Sequence, residues 1–380
     1  MAVVNKAFKF CICPNAAQAA LINKTVGCAR FVYNYFLDMR IRTYQDNGKG
    51  LNHNACSALL TQLKRDKDHL WLLEVDKFAL QNSLRDLNTA YSNFFRERAK
   101  GNTKQGFPKF KSKHRSKQKY RTNLTNNNIQ VDMDARKIKL PKLGWIKFRK
   151  NKRMGHLPGS IVNVTVTRAS SGKYFVAVLC QVEINELPVV NNKVGYDLGL
   201  ETFAVSSNGD SIENPRYLQR ELKKLAILQK QLSRKIRGSH NYVKQRIKVA
   251  RHHEHIVNMR QNFLHQLSTQ IIRENQVICL ENLGVKNMVK NKRLAKAISD
   301  AGWGLFRQMV SYKAKWYGRT LVIIDRFFPS SKKCNMCGET NPMLTLSIRN
   351  WQCPKCQTVH NRDQNAAKNI LAEGLRLLSI

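Results

Sequence analysis

Near its carboxyl end the chain reads CNMCGETNPMLTLSIRNWQCPKCQTVHNRDQNAAKNI, in which Cys334, Cys337, Cys353 and Cys356 form C-x2-C-x15-C-x2-C. No other feature limits the fold as tightly. Each two-residue turn lets a pair of thiolates reach one ion at about 2.3 Å, and two such turns close a tetrahedron with no position left for water. The spacing therefore predicts a four-cysteine ribbon around a structural Zn2+. A redox C-x-x-C is the weaker reading, because thiol exchange needs one pair and not two matched ones. Six further cysteines, Cys11, Cys13, Cys28, Cys56, Cys180 and Cys279, are scattered among apparent strands and helices and read as ordinary thiols. Cys11 and Cys13 share one face of a strand, where packing outweighs a second metal site.

The second knuckle runs straight into Asp363 at a predicted helix start, and acids are scarce here. The chain carries 66 Lys and Arg against 25 Asp and Glu, a formal net charge of +41. Such an excess calls for a polyanionic partner. Because the cations run through the whole chain and are not gathered on one amphipathic anchor, nucleic acid is favoured over a membrane surface. The opening MAVVNKAFKFCICPN has no apolar core of a signal peptide, and no stretch approaches the roughly 18 apolar residues of a membrane span. A protein of the bacterial or archaeal cytosol or nucleoid is expected. Among the few acids, Asp197 lies in the strand VGYDLGL with glycines on both sides, and Glu281 ends the strand VICLEN. Three isolated carboxylates, two of them on strands suited to one sheet, are the donor set that Mg2+ takes for phosphodiester hydrolysis. Each also has a plainer reading: Asp363 as a helix N-terminal acid, Glu281 as a partner of some lysine.

Along the chain, VVNKAFKFCIC predicts a strand, and Pro14-Asn15 opens a long helix. In VDKFALQNSLRDLNTAYSNFF, Leu80, Leu84, Leu87, Tyr91 and Phe94 recur at helical spacing, and Lys77, Gln81 and Arg85 fall along the flank. Every odd position from 109 to 121 is basic: Lys109, Lys111, Lys113, Arg115, Lys117, Lys119 and Arg121. If extended, all seven project to one side about 6.6 Å apart, a rail for a phosphate backbone; the bland alternative is a solvated charge run. From about 128 to 187 the pattern is β, with a hairpin at Ser171-Gly172, and with the first strand this predicts a small barrel interrupted by helices. The rest alternates strand and helix. KVGYDLGLETFAVSSNGD reads as a hairpin with an Asn-Gly turn, helices are predicted near 216–237, 242–273 and 301–317, and a last one begins near 362.

Several of these segments resemble a known family. VGYDLGLETFAV, ICLENLGVKNM, ISDAGWGLFRQMVSYKAKWYG, FFPSSKKCNMCG and WQCPKCQTVHNRDQNAAKNI are similar to the RuvC-like core and zinc ribbon of TnpB (OrfB) proteins of bacterial insertion sequences, relatives of type V CRISPR effectors. FCICPNAAQ, CARFVYNYFL, VDKFALQNSL and TNNNIQ extend the resemblance over essentially the whole chain. It implies an α/β multidomain protein: a wedge-like β-barrel (1–14 and 120–190) split by a helical recognition insertion (15–119), then an RNase H-like RuvC nuclease domain (191–380) with an inserted four-cysteine zinc ribbon (330–360). It implies an RNA-guided DNA endonuclease with two Mg2+ ions at Asp197, Glu281 and Asp363. One protein is expected per noncoding guide RNA from the transposon end, acting on double-stranded DNA beside a short flanking motif. Matching segments implicate Ser57, Lys77, Phe78, Gln81, Thr125 and Asn126 in nucleic-acid contact. The family commonly has an arginine and an aromatic residue at the positions of Cys11 and Cys13, and some relatives carry a tail beyond the position of Ile380. Three rivals stay open: a guided repressor without cleavage, an accessory transposition protein, and a zinc nucleic-acid-binding protein that is not an enzyme.

Overall fold

Alternation in the first strand places Phe8, Phe10 and Ile12 on a single buried face, forming β1 (Ala2–Cys13). In this computed structural model, residues 2–102, 106–149, 155–345 and 347–379 are described. Two compact units divide the chain, Val3–Glu183 and a second made mainly of Ile184–Ile380.

In the first unit, Asn15 closes a capping box with Gln18, the Gln18 N–H donating to Asn15 Oδ1 at 2.8 Å and the Asn15 N–H to Gln18 Oε1 at 3.1 Å. This starts α1 (Ala16–Asn47), which ends at Gly48 with φ +64°. There follow α2 (His53–Leu63), a 3-10 helix (Lys67–Glu74) and α3 (Lys77–Ala99), the last capped by the buried Asp76, which accepts from the Phe78 N–H. Val32, Phe36 and Leu37 of α1 pack with Leu80, Leu84 and Leu87 of α3 in one core. The remaining strands are β2 (Gln118–Asn123), β3 (Gln130–Asp132), β4 (Lys137–Leu140), β5 (Gly144–Arg149), β6 (Ser160–Arg168) and β7 (Tyr174–Ile184). They join β1 in a sheet of order β2-β6-β7-β1-β5-β4-β3. The first strand thus sits mid-sheet, and the helices interrupt a sheet that the later strands complete.

The seven alternating cations do not make one extended edge. Residues 113–115 form a turn, and β2 begins only at Gln118. Local polar side chains decide this: Ser112 Oγ accepts from the Arg115 N–H, Ser116 Oγ from the Ser112 N–H, and Gln118 Nε2 donates to the carbonyls of Lys113 and Ser116. Lys111 turns inward. Its Nζ lies 3.6 Å from the centroid of the Tyr33 ring, its backbone exchanges hydrogen bonds with the Asn34 amide, and burial pushes its pKa down. Lys109 and Lys113 stay exposed.

The second unit holds β8 (Lys193–Leu198), β9 (Thr202–Ser206), β10 (Ser211–Glu213), α4 (Tyr217–Ser233), α5 (His240–Glu274) and β11 (Val277–Glu281). After these come α6 (Val285–Met288), α7 (Ala295–Ala301), α8 (Trp303–Tyr317), β12 (Thr320–Ile324), β13 (Asn350–Gln352), β14 (Val359–Asn361) and α9 (Arg362–Leu378). Five strands run in the order β10-β9-β8-β11-β12, with β8, β11 and β12 parallel. The apolar run of β11 is buried on both faces, as central parallel strands are: Ile278 and Leu280 join the core with α5 and α8, while Val277 and Cys279 pack against Ile370 of α9. The helix predicted around 301–317 is α8, which starts just past Gly302, φ +73°. One detail departs from the sequence reading: the Asn208-Gly209 turn joins β9 to a third strand, the β8–β9 hairpin having turned earlier.

Candidate active site and metal centre

Both knuckles are built by the same local device. The Gly338 N–H donates to the Cys334 carbonyl and the Gln357 N–H to the Cys353 carbonyl, with Gly338 at φ +77° and Gln357 at +60°. All four Sγ atoms lie within 4.8 Å of one another, with Cys334–Cys356 and Cys337–Cys353 at 3.6 Å. Zinc–sulfur bonds of about 2.3 Å require tetrahedral edges of about 3.8 Å, so the cysteines fit Zn2+. His360 Nε2 stands 3.0 Å from Cys334 Sγ. The second knuckle closes the β13–β14 hairpin, and Asn361, the last residue of β14, is also the N-cap of α9, accepting from the N–H groups of Asp363 and Gln364.

Why α9 delivers Asp363 to the sheet is a matter of two glycines. A Cβ on Gly195 of β8 would stand 2.5 Å from the Ala367 carbonyl oxygen, and one on Gly374 of α9 would collide with Cys279 Sγ of β11. At Gly195 the helix backbone therefore lies directly on the strand, and at Gly374 the helix leaves room for the Cys279 side chain. The parallel register sets Leu280 beside Tyr196, so Asp197 and Glu281 emerge together at the carboxyl ends of adjacent strands.

Burial is the first cause that pushes Asp197 up to about 7, and the charges of Glu281 and Asp363 add to it; Arg362 and Arg349 act in the opposite direction. Burial also raises Glu281, offset by a hydrogen bond from the Ser330 hydroxyl at 2.5 Å. The lysine partner considered for Glu281 is thus replaced by a serine. Asp363 takes both Arg349 Nη1 contacts, at 3.0 and 3.2 Å, while Arg349 Nη2 holds Glu201 at 2.7 Å. Among the described residues the cysteines are the only group of three or more candidate metal-ligand residues gathered within 4.8 Å. The carboxylates are neighbours with wider spacing. A buried carboxylate raised by two others suits a divalent cation with oxygen ligands, so the donor set fits Mg2+.

The residues expected to touch nucleic acid separate into groups. Lys77 and Phe78 line one open cavity of about 390 Å3 with Asn128, whose Oδ1 accepts from the Thr125 N–H and orders the Thr125–Asn126 turn. Asn126 and Asn127 both have positive φ, +47° and +55°. Ser57 on α2 and Gln81 on α3 do not line that cavity. Sequence reasoning did not single out Ser330, Arg349, Asn365 or Asn369, although FFPSS and NAAKN lie inside the motif segments.

A cryo-EM structure of a Cas12f1–sgRNA–target DNA complex matches with a TM-score of 0.58 over 97% of this chain and 98% of that one, at 15% identity, so the fold is a Cas12f1-like α/β fold. Family profiles described as "Probable transposase" (OrfB of IS605), "Cas12f1-like, TNB domain" and "Helix-turn-helix domain" match residues 176–292, 303–370 and 1–49. A relative from Streptomyces pristinaespiralis, named "Putative RNA-guided DNA endonuclease", is 41% identical over 99% of this chain and 90% of its own length. Another, InsQ of Escherichia coli K12, named in the same way, is 32% identical over 98% and 93%. The chain belongs to the TnpB (OrfB) family, related to type V effectors. Over residues 1–49, the segment matched as helix-turn-helix, the structure holds β1 and the single helix α1. No described helix is long and apolar enough to cross a membrane.

Proposed function

We propose that this protein is an RNA-guided DNA endonuclease that hydrolyses phosphodiester bonds with Mg2+ held by Asp197, Glu281 and Asp363. The observation that carries the reading is the meeting of these three acids in a chain of net charge +41, with Asp197 pushed up to about 7 by its burial and its neighbours. The whole-length relatives bearing that name support it.

In this reading the seven-stranded sheet is the wedge barrel (1–14 and 120–190), α1–α3 are the recognition insertion (15–119), and 191–380 is the RuvC-like nuclease with the ribbon at 330–360. Magnesium bound at the carboxylates would supply an activated water and charge stabilisation of the leaving oxygen. The chain's own residues prepare for it. Asp197 must give up its proton to bind a cation, Ser330 keeps one Glu281 oxygen oriented, and the knuckle-capped start of α9 aims Asp363. Sequence choice falls to pairing between a noncoding guide RNA and one strand of double-stranded DNA, while Lys77, Phe78, Thr125 and Asn126, with Ser57 and Gln81, contact the flanking motif. Exposed lysines such as Lys109 and Lys113 supply affinity without sequence information. One protein acts per guide, in the cytoplasm.

The test replaces the guide segment of the copurifying RNA and sequences the cut ends. Cuts that follow the new guide, beside an unchanged flanking motif and only with Mg2+, are expected. A cut site indifferent to the guide overturns the reading, and guided binding without cutting makes the protein a repressor.

A further inference from the structure

The zinc ribbon meets the carboxylates twice. One connection is covalent, from the second knuckle through Asn361 to Asp363. The other runs through α9 to the first knuckle. Asn365 and Asn369 are one turn apart on the helix, and both are almost fully buried. Asn365 Oδ1 accepts from the Asn335 N–H at 3.0 Å, and its Nδ2 donates to the Lys333 carbonyl at 2.7 Å. Asn369 Nδ2 donates to that same carbonyl at 2.6 Å and to the Ser330 carbonyl at 2.8 Å. Ser330, also buried, spends its hydroxyl on Glu281.

From these contacts we infer that Asn369 and Ser330 are positioning residues, which tie the orientation of Glu281 to the zinc-bound first knuckle. The chemistry is specific. Bridging the Ser330 and Lys333 carbonyls takes two N–H donors from one short side chain, and a primary amide is the neutral group that provides them. An apolar residue of similar volume would leave the Ser330 carbonyl unpaired and the Lys333 carbonyl with Asn365 alone. The Ser330 main chain is thereby fixed at the point from which its hydroxyl reaches the carboxylate. A serine that orients a metal-binding carboxylate has its effect on cation affinity, since outer partners of metal ligands typically carry tenfold or more of it.

The inference rests on the carboxylates being a cation site, and its test separates the two claims. Mn2+ binding to the zinc-loaded full-length protein is followed by electron paramagnetic resonance, with Asp197→Ala as the reference lacking the site. Ser330→Ala is expected to raise the half-saturating Mn2+ concentration by about tenfold, with zinc content and melting temperature unchanged. Ser330→Thr, which keeps the hydroxyl, is expected to restore it. Asn369→Leu is expected to give a similar rise, and Ser330→Ala with Asn369→Leu no more than the larger single effect, because both act through one contact. If Asn369→Leu fails to fold, the serine pair still decides. Parental Mn2+ binding in Ser330→Ala, or in a folded Asn369→Leu, overturns the relay alone. A parent chain without Asp197-dependent Mn2+ binding overturns the nuclease reading and the relay with it.

Discussion

The cysteine centre and the carboxylate centre are joined by one short hairpin, yet they are assembled in opposite ways. The cysteines come from two local turns, and all four sulfurs already stand at tetrahedral spacing. The acids come from β8, β11 and α9, and each leans on a protein partner or is buried. A closed structural site is specified by turns a few residues long. The proposed hydrolytic site has to bring like charges together, so it depends on a core, on two close-packing glycines and on neighbouring dipoles.

Four measurements put that contrast at risk. The largest effect is expected at the acids: Asp197→Ala should lower guided cleavage on the order of 10^3-fold or more, the scale on which losing a charge-stabilising group acts, while guide RNA binding stays at the parental level. Parental cleavage by that variant removes Asp197 from the site.

At the cysteines, stability and activity should fall together. Cys353→Ser is expected to lower the melting temperature of the nuclease unit by roughly 5–10 °C, taking about 2–4 °C per kcal/mol for a unit of this size, because zinc affinity is folding free energy. Cleavage should fall in parallel. Calorimetry on samples of known zinc content checks this, and an unchanged melting profile after zinc removal would falsify the clamp.

Proton linkage at the carboxylates comes next. Asp197 has an ordinary value of 3.8 and a folded value of about 7, so between these the folded state holds the extra proton. Without divalent cation, stability contributed by this group is therefore present at low pH and lost as pH rises from about 4 to about 7. Asp197→Asn should flatten that decline and raise the melting temperature at pH 8. Added Mg2+ competes with the proton, so the rise of cleavage with pH should shift to lower pH as Mg2+ increases. Melting curves at pH 5 and pH 8, with and without Mg2+, decide it.

The smallest effect concerns the cation run. Lys109→Gln with Lys113→Gln should weaken DNA binding for all sequences alike and reduce the magnitude of the log–log salt slope by up to about 0.9 per lost phosphate contact, with stability unchanged. Lys111→Gln should instead lower stability by about 0.5–2 kcal/mol, the range for a cation on an aromatic face. Equal behaviour of the three lysines would contradict the inward turn of Lys111.

Features that depend on short spacings were legible in the amino-acid order alone. C-x2-C twice over makes knuckles, Pro14-Asn15 opens a helix, and VICLE makes a strand that ends in an acid. Scarcity marked Asp197, Glu281 and Asp363 as acids worth explaining, and family resemblance gave them a shared role. Local pattern failed where side chains answer to distant groups: alternation from 109 to 121 suggested a rail, but the Tyr33 ring and the Asn34 amide drew Lys111 inward, and serine turns bent the backbone. It took the folded chain to settle that Ser330 reaches Glu281 across 49 residues, that Asn369 reaches Ser330 across 39, and that Arg349 joins Asp363 to Glu201 across 148. Such contacts leave no periodic trace. They are chosen by burial, because a carboxylate or carbonyl withdrawn from water must find a donor among whatever residues the fold has placed beside it.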